Sequence, residues 1–258
     1  YLRATDGAGN TTTQRFGPYR IDKTAPSVSA STSSRGWGNT NVTVTPSFSD
    51  SGGSGLSSRQ YVWSNSTSTP SSGWTDYSSG SLTQSSNGTW YLHLRATDGA
   101  GNTTTKYFGP YQIDKTAPTV SANPSSRAWA SSNVTVTPSF SDSGGSSLTS
   151  RQYVWSTSTS APSSGWMSYS SGDLTLTSEG SWYLYLRATD GAGNITTQRF
   201  GPYQIDRTIP TITANPTGRG WSNENVTVTL IYEDGGGSGL SQRQYAWSQS
   251  TNTPSSWA

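Results

Sequence analysis

Apolar and polar residues alternate over short runs along this chain, and no window shows the 3.6-residue apolar spacing of a helix. The clearest run is Thr89–Thr97, where Trp90, Leu92, Leu94 and Ala96 fall on one side and Tyr91, His93 and Arg95 on the other. Asn41–Ser49 reads the same way, with Val42, Val44 and Phe48 sharing a face. Pro, Gly, Ser and Asn interrupt the chain at intervals of roughly 8–12 residues, the punctuation of short strands joined by turns. Further strands are expected near Pro26–Ser31, at Arg59–Ser64 with Tyr61 and Trp63, at Trp74–Tyr77, at Ser81–Gln84 and at Thr103–Ile113. About seven short strands in roughly 90 residues is the count of a two-sheet β-sandwich.

The pattern repeats. Leu2-Arg-Ala-Thr-Asp-Gly-Ala-Gly-Asn10 returns at Leu94–Asn102 and at Leu186–Asn194, two steps of 92 residues. Trp37, Trp129 and Trp221 keep the same spacing, as do Tyr61, Tyr153 and Tyr245. A period of this length marks an array of autonomous domains rather than turns of a solenoid. The natural boundary is Asp-Lys-Thr-Ala-Pro at Asp22–Pro26 and Asp114–Pro118, with Asp206-Arg-Thr-Ile-Pro210 as a variant. Proline fixes φ there and forces the preceding residue to be extended, which stiffens the junction. Cutting at this motif predicts the C-terminal strands of one repeat at 1–22, full repeats at 23–114 and 115–206, and the N-terminal part of a further repeat at 207–258. Two arrangements are compatible with that layout. The chain is a window onto a longer repetitive polypeptide, or residues 1–22 of one chain complete residues 207–258 of the next by strand addition.

Composition changes the picture in three ways. Ser and Thr number 87 of 258 residues and only 12% are charged, so the surface is hydroxyl-rich rather than ionic. Hydrophobic content is 29%, but 11 Trp, 14 Tyr and 5 Phe supply large side chains that can fill small separate cores. There is no cysteine, so the fold has no disulfides and must rest on packing. A cysteine-free chain of this kind fits a secreted Gram-positive protein. The net charge is +2 with no long basic run, which points away from nucleic acid and anionic membrane. No apolar stretch approaches the roughly 18 residues of a membrane-spanning helix, so no membrane insertion is expected in this segment.

Little catalytic chemistry is available. With one histidine and no cysteine, neither a Cys/His dyad nor a Ser-His-Asp triad can recur across the repeats. His93 is replaced by Tyr185 one period on and reads as an exposed strand residue. The chain is therefore not expected to be an enzyme, and no organic cofactor is expected. Hard oxygen ligands are the stronger option. In such a sandwich the loop after the second strand, the loop between the last two strands and the incoming linker share one end. That predicts Asp22, Asp50 and Asp98 close together, and Asp114, Asp142 and Asp190 likewise, as candidate Ca²⁺ sites. The competing reading is that each Asp caps its own turn through an Asx hydrogen bond. Trp37 and Trp74, with their repeats, are candidate stacking platforms for surface glycans, against a role as core or lid residues.

The run Trp90–Asn102 followed by Gly109–Pro118 resembles the bacterial immunoglobulin-like repeats of secreted and cell-surface proteins, and the strand at Thr89–Thr97 also looks like fibronectin type III. The stretch Asp50-Ser-Gly-Gly-Ser-Gly-Leu56 fits the same family. The resemblance covers essentially the whole chain. It implies tandem immunoglobulin-like β-sandwiches in a long extracellular protein. The expected role is structural, as part of a fibre, filament or stalk whose partners are neighbouring repeats or other copies. The alternative is an adhesin or carbohydrate-binding array acting through avidity.

Overall fold

The computed structural model describes residues 1–258, and every regular element in it is a β-strand. Two compact units are present, residues 1–115 and 116–258. The first holds β1 (Leu2–Thr5), β2 (Thr11–Gln14), β3 (Ser27–Ala30), β4 (Arg35–Gly38), β5 (Val42–Val44), β6 (Pro46–Ser49), β7 (Leu56–Ser64), β8 (Thr75–Asp76), β9 (Leu82–Gln84), β10 (Gly88–Asp98) and β11 (Thr103–Ile113). The second holds β12 (Thr119–Asn123), β13 (Arg127–Ala130), β14 (Val134–Ser141), β15 (Leu148–Ser156), β16 (Met167–Ser168), β17 (Leu174–Leu176), β18 (Gly180–Asp190), β19 (Ile195–Ile205), β20 (Thr211–Asn215) and β21 (Thr229–Glu233).

In the first unit β3–β11 form an immunoglobulin-like sandwich. One sheet has the order β4-β11-β10-β7-β8, and the opposing layer consists of the pairs β3–β6 and β5–β9. The second unit repeats this, with β13-β19-β18-β15-β16 facing β12-β14-β17. The seven expected strands are all present, and two details enlarge the count. The strand expected at Asn41–Ser49 divides at Thr45, so that β5 pairs with β9 and β6 with β3. Pro46 has no N–H to continue a ladder, which suits a change of partner. The extra strand is β4, which pairs parallel to β11 through Tyr111↔Arg35 and Ile113↔Gly38. Its sequence, Arg-Gly-Trp-Gly, carries no alternating pattern.

Each core follows the alternation. Leu92, Leu94 and Ala96 of β10 point inward onto Val42, Val44, Phe108, Tyr111 and Ile113, with Tyr61, Trp63 and Trp90 packed around them. Leu184, Leu186, Ala188, Val134, Val136, Phe200, Tyr203 and Ile205 make the same set in the second unit. Tyr111 is fully buried, meets Trp63 edge to face at 5.5 Å, and donates its hydroxyl hydrogen bond to the carbonyl of Thr32. Tyr203 repeats this against Trp155 and the Pro124 carbonyl. Large rings therefore supply the cohesion that disulfides give other small sandwiches, each worth about 1.5–3 kcal/mol of burial.

His93 departs from its expected exposure. It lies on the outer face of β10 but is fully buried, because the chain after β7 folds over it and its Nε2 lies 2.9 Å from the Ser66 carbonyl. Tyr185 makes the equivalent link, donating its hydroxyl to the Ser158 carbonyl at 3.0 Å. The two residue types thus fill one role, a polar pin between a strand and the loop crossing it. His93 Nδ1 is buried without a partner.

Candidate functional site

The aspartates are positioned by their own loops. In the Asp-Gly-Ala-Gly-Asn loop after β10, Asp98 Oδ1 accepts from the N–H of Ala100 at 2.9 Å and of Asn102 at 2.8 Å. Its Oδ2 accepts from Asn102 Nδ2 at 2.8 Å. The same knot forms at Asp190 with Ala192 and Asn194. It forms again at Asp6, between β1 and β2, with Ala8 and Asn10. Asp6 has no second and third carboxylate beside it, so the turn alone is sufficient to orient this side chain.

In the first unit the linker and two loops bring Asp22, Asp50 and Asp98 together, each offering a carboxylate oxygen within 4.8 Å of the others. All six oxygens already accept an N–H. Asp22 takes Thr24 and Ser54, both at 3.0 Å. Asp50 takes Gly52 at 3.3 Å and Gly55 at 3.0 Å. Hydrogen bonds from Ser54, side chain first, hold the Asp22 carboxyl below its ordinary value of 3.8. For Asp98, burial opposes the charge, but the Asn102 side chain and the backbone donors outweigh it, and the net shift is downward. In the second unit Asp142 and Asp190 lie within the same distance of each other, and Asp142 Oδ2 is buried without a partner. Asp114 closes β11 in the first unit, where its N–H bonds the Gly38 carbonyl. Chemically, three converging carboxylates are hard oxygen donors suited to a divalent cation such as Ca²⁺, which takes roughly 6–8 oxygens. In the first unit these oxygens also accept the N–H donors of their own turns.

Sequence reasoning passed over a related constellation in the second unit. Asp206, at the end of β19, accepts from Thr208 at 3.0 Å, Gly237 at 3.0 Å and Ser238 at 2.8 Å. The Ser238 side chain and then backbone N–H groups pull its carboxyl down to about 2. A Cβ on Gly236 would fall 2.0 Å from Asp206 Oδ1, and one on Gly52 would fall 1.9 Å from Asp22 Oδ1. The paired glycines of Asp50-Ser-Gly-Gly and Asp234-Gly-Gly-Gly were the available signal. They leave room for a linker carboxylate to reach the loop backbone.

Of the tryptophans offered as sugar platforms, Trp74 and Trp166 are engaged, whereas Trp221 is fully exposed. Trp74 donates its indole N–H to Pro70, and the Arg95 guanidinium lies 4.3 Å over its ring. Gln60 Oε1 holds that guanidinium through Nε at 3.0 Å and Nη2 at 2.6 Å. Trp166, Arg187 and Gln152 repeat the stack. One face of each ring is covered by a cation. A groove of about 780 Å³ passes over Ala214, Val226, Val228, Tyr245 and Trp247. Their counterparts Ala122, Val134, Val136, Tyr153 and Trp155 belong to the packed interior of the second unit's sandwich. The groove is therefore an inner sandwich face rather than a pocket shaped for a ligand. No helix is long and apolar enough to cross a membrane.

No protein-family model matches the chain, and no curated protein does. Among solved structures it is similar to the fibronectin(III)-like modules of Clostridium thermocellum CbhA, at 12% identity and a TM-score of 0.30 over 69% of this chain and 95% of that one. It is similar to murine CEACAM1b, at 14% identity and a TM-score of 0.33 over 70% and 99%. It is also similar to the three N-terminal domains of the bacteriophage RB49 Highly Immunogenic Outer Capsid protein, at 11% identity and a TM-score of 0.31 over 82% and 69%.

Proposed function

We propose that this chain is a structural segment of an extracellular, cell-surface-associated fibre or stalk, without enzymatic activity, whose partners are its own neighbouring repeats. One observation carries the reading: the two sandwiches share individual side-chain hydrogen bonds, in loops as well as in strands. The Gln60–Arg95–Trp74 stack matches Gln152–Arg187–Trp166, and the Asp98–Asn102 knot matches Asp190–Asn194. A module that selects a ligand usually spends its loops on differences, because loops carry specificity while the scaffold carries stability. Here the loop Asp98–Asn102 keeps its bonds at Asp190–Asn194 as the scaffold does. A chain one-third Ser and Thr, with few charges, suits a solvated spacer. Imaging of the native source material tests this. Thin filaments or stalks with an axial spacing near one domain length are expected. A dispersed soluble protein, or tight binding of the polypeptide to a defined glycan, would overturn it.

A further inference from the structure

We infer that the sandwich of the second unit is clamped to the repeat that follows it by a three-part lock. Its parts are the Trp129 indole, the Asp206 carboxylate and the Arg207 side chain, and its occupant is the loop Gly236-Gly237-Ser238. All of these residues lie in the second unit. The inference deepens the spacer reading and rests on it only for its purpose.

The indole comes first. Trp129 stands on β13 and takes no part in the core cluster that holds Tyr203, Leu184 and Leu186. Its ring instead abuts Gly237, so closely that a Cβ there would sit 2.3 Å from the ring. Trp221, one period on, presents its whole ring to solvent. The loop thus covers an indole that the core cluster of its own sandwich leaves out.

The carboxylate and the cation then hold the linker from opposite sides. Asp206 receives the N–H groups of Gly237 and Ser238, both from the following repeat. Arg207, the next residue, is tied back into the preceding sandwich. Its N–H bonds Glu179 Oε1 at 3.2 Å, Nη1 bonds the Thr177 carbonyl at 2.8 Å, and Nη2 bonds Asn133 Oδ1 at 2.6 Å. Adjacent linker residues are thus bonded in opposite directions, which removes the swivel that a two-residue hinge would otherwise allow. The lock recognises backbone and absence of side chain: two N–H groups for the carboxylate, and glycines that let a carboxylate and a ring approach. Its partner is accordingly a Gly-Gly-Ser loop of another copy of this repeat.

The test uses the full 258-residue chain, which has no cysteine to interfere with labelling. Spin labels are placed through Thr175→Cys and Thr213→Cys, both exposed and on opposite sides of the linker. Pulsed electron–electron distance measurement is expected to give one narrow distribution in the otherwise native chain. In Trp129→Ala the distribution should roughly double in width, since few contacts would then restrain the domains. Gly237→Val attacks the same contact from the loop side and should broaden it likewise. The thermal transition of the second unit's sandwich is recorded alongside and should be retained in both variants, because Trp129 lies outside its core. A broad distribution in the native chain, or a narrow one that survives both substitutions, overturns the lock. Failure of the spacer reading would appear separately, as absence of filaments in the source material.

Discussion

Replacing Tyr203 with phenylalanine removes one oxygen from a fully buried ring and leaves its contacts otherwise in place. The lost bond is the 2.7 Å donation to the Pro124 carbonyl. A neutral hydrogen bond contributes about 1 kcal/mol net, and a buried acceptor left without its donor adds to that, so the loss should be about 1–2 kcal/mol. Tyr203→Ala also removes the ring and its edge-on contact with Trp155 at 5.3 Å. Large-to-small changes of aromatic core residues cost about 3–5 kcal/mol. For a domain of this size each kcal/mol moves the midpoint by about 4–8 °C. Calorimetry of the full chain reads both variants. The first unit carries its own Tyr111 and serves as the internal reference, so its transition should stay in place while that of the second unit moves down. There is an alkaline counterpart. Burial raises the Tyr111 hydroxyl to about 12 and pushes Tyr203 up as well. A raised folded-state value means the stabilisation is complete below the ordinary value near 10 and is lost as pH climbs through the folded value. The phenylalanine variant should therefore lose less stability than the native chain between about pH 10 and 12. If Tyr203→Phe melts with the native chain, or falls as far as the alanine variant, the assignment of the hydroxyl as a buried tie is refuted.

Acid should act through the linker and loop carboxylates. Asp22, Asp98 and Asp206 are held below their ordinary value of 3.8, Asp206 at about 2, so their contribution is full above that value and is lost as pH falls toward about 2. Melting midpoints recorded against pH should decline in that window, and an Asp206→Asn chain with an unchanged acid slope would contradict the cause given. His93→Tyr should raise the first unit's midpoint, because tyrosine can reach the loop carbonyl as Tyr185 does and removes a buried, unpartnered Nδ1 worth about 1–3 kcal/mol. Tyr185→His should lower the second unit's midpoint in calorimetry of the same design. The N–H donors to Asp22, Asp50 and Asp98 orient these carboxylates without an ion, so the first unit's midpoint should be the same in Ca²⁺ and in chelator. An upward shift with Ca²⁺ would assign that cluster a bound ion.

The strands were legible where side chains alternate. Thr103–Ile113 is expected from the sequence and is the observed β11, and the inward set of β10 is the one that the alternation of Trp90, Leu92, Leu94 and Ala96 implies. Alternation reports which face a residue takes, but not what lies over that face. His93 was assigned correctly to the outer side and incorrectly to solvent, because a loop contributed by Ser66 covers it. Strand β4 was illegible for another reason. Arg-Gly-Trp-Gly forms a strand because β11 offers a free edge, a property of the partner rather than of the segment. The convergence of Asp22, Asp50 and Asp98 was readable from sandwich topology, since the linker and both loops meet at one end. The hydrogen bonds that fill those carboxylates were readable only in part. Asp-Gly-Ala-Gly-Asn announces its own turn, whereas the bond from Ser54 to Asp22 spans 32 residues.

The glycines carry a constraint of their own. The turn at Asp50 or Asp234 places no restriction on the residue two positions on, which donates only its N–H. A linker carboxylate seated against the loop backbone does place one, since any Cβ at Gly52 or Gly236 would enter Asp22 or Asp206. The next glycine is constrained in its turn only where an indole meets it, as Trp129 meets Gly237, while Gly53 has open space around it. Along the sequence the pairs Gly52-Gly53, Gly144-Gly145 and Gly236-Gly237 keep the same 92-residue step as Trp37, Trp129 and Trp221. A requirement for two adjacent glycines, one against a carboxylate and one against a tryptophan ring, is thus present at Gly236-Gly237 in the second unit. It links a local sequence feature to the contact between the second unit's sandwich and the loop at Gly236-Gly237.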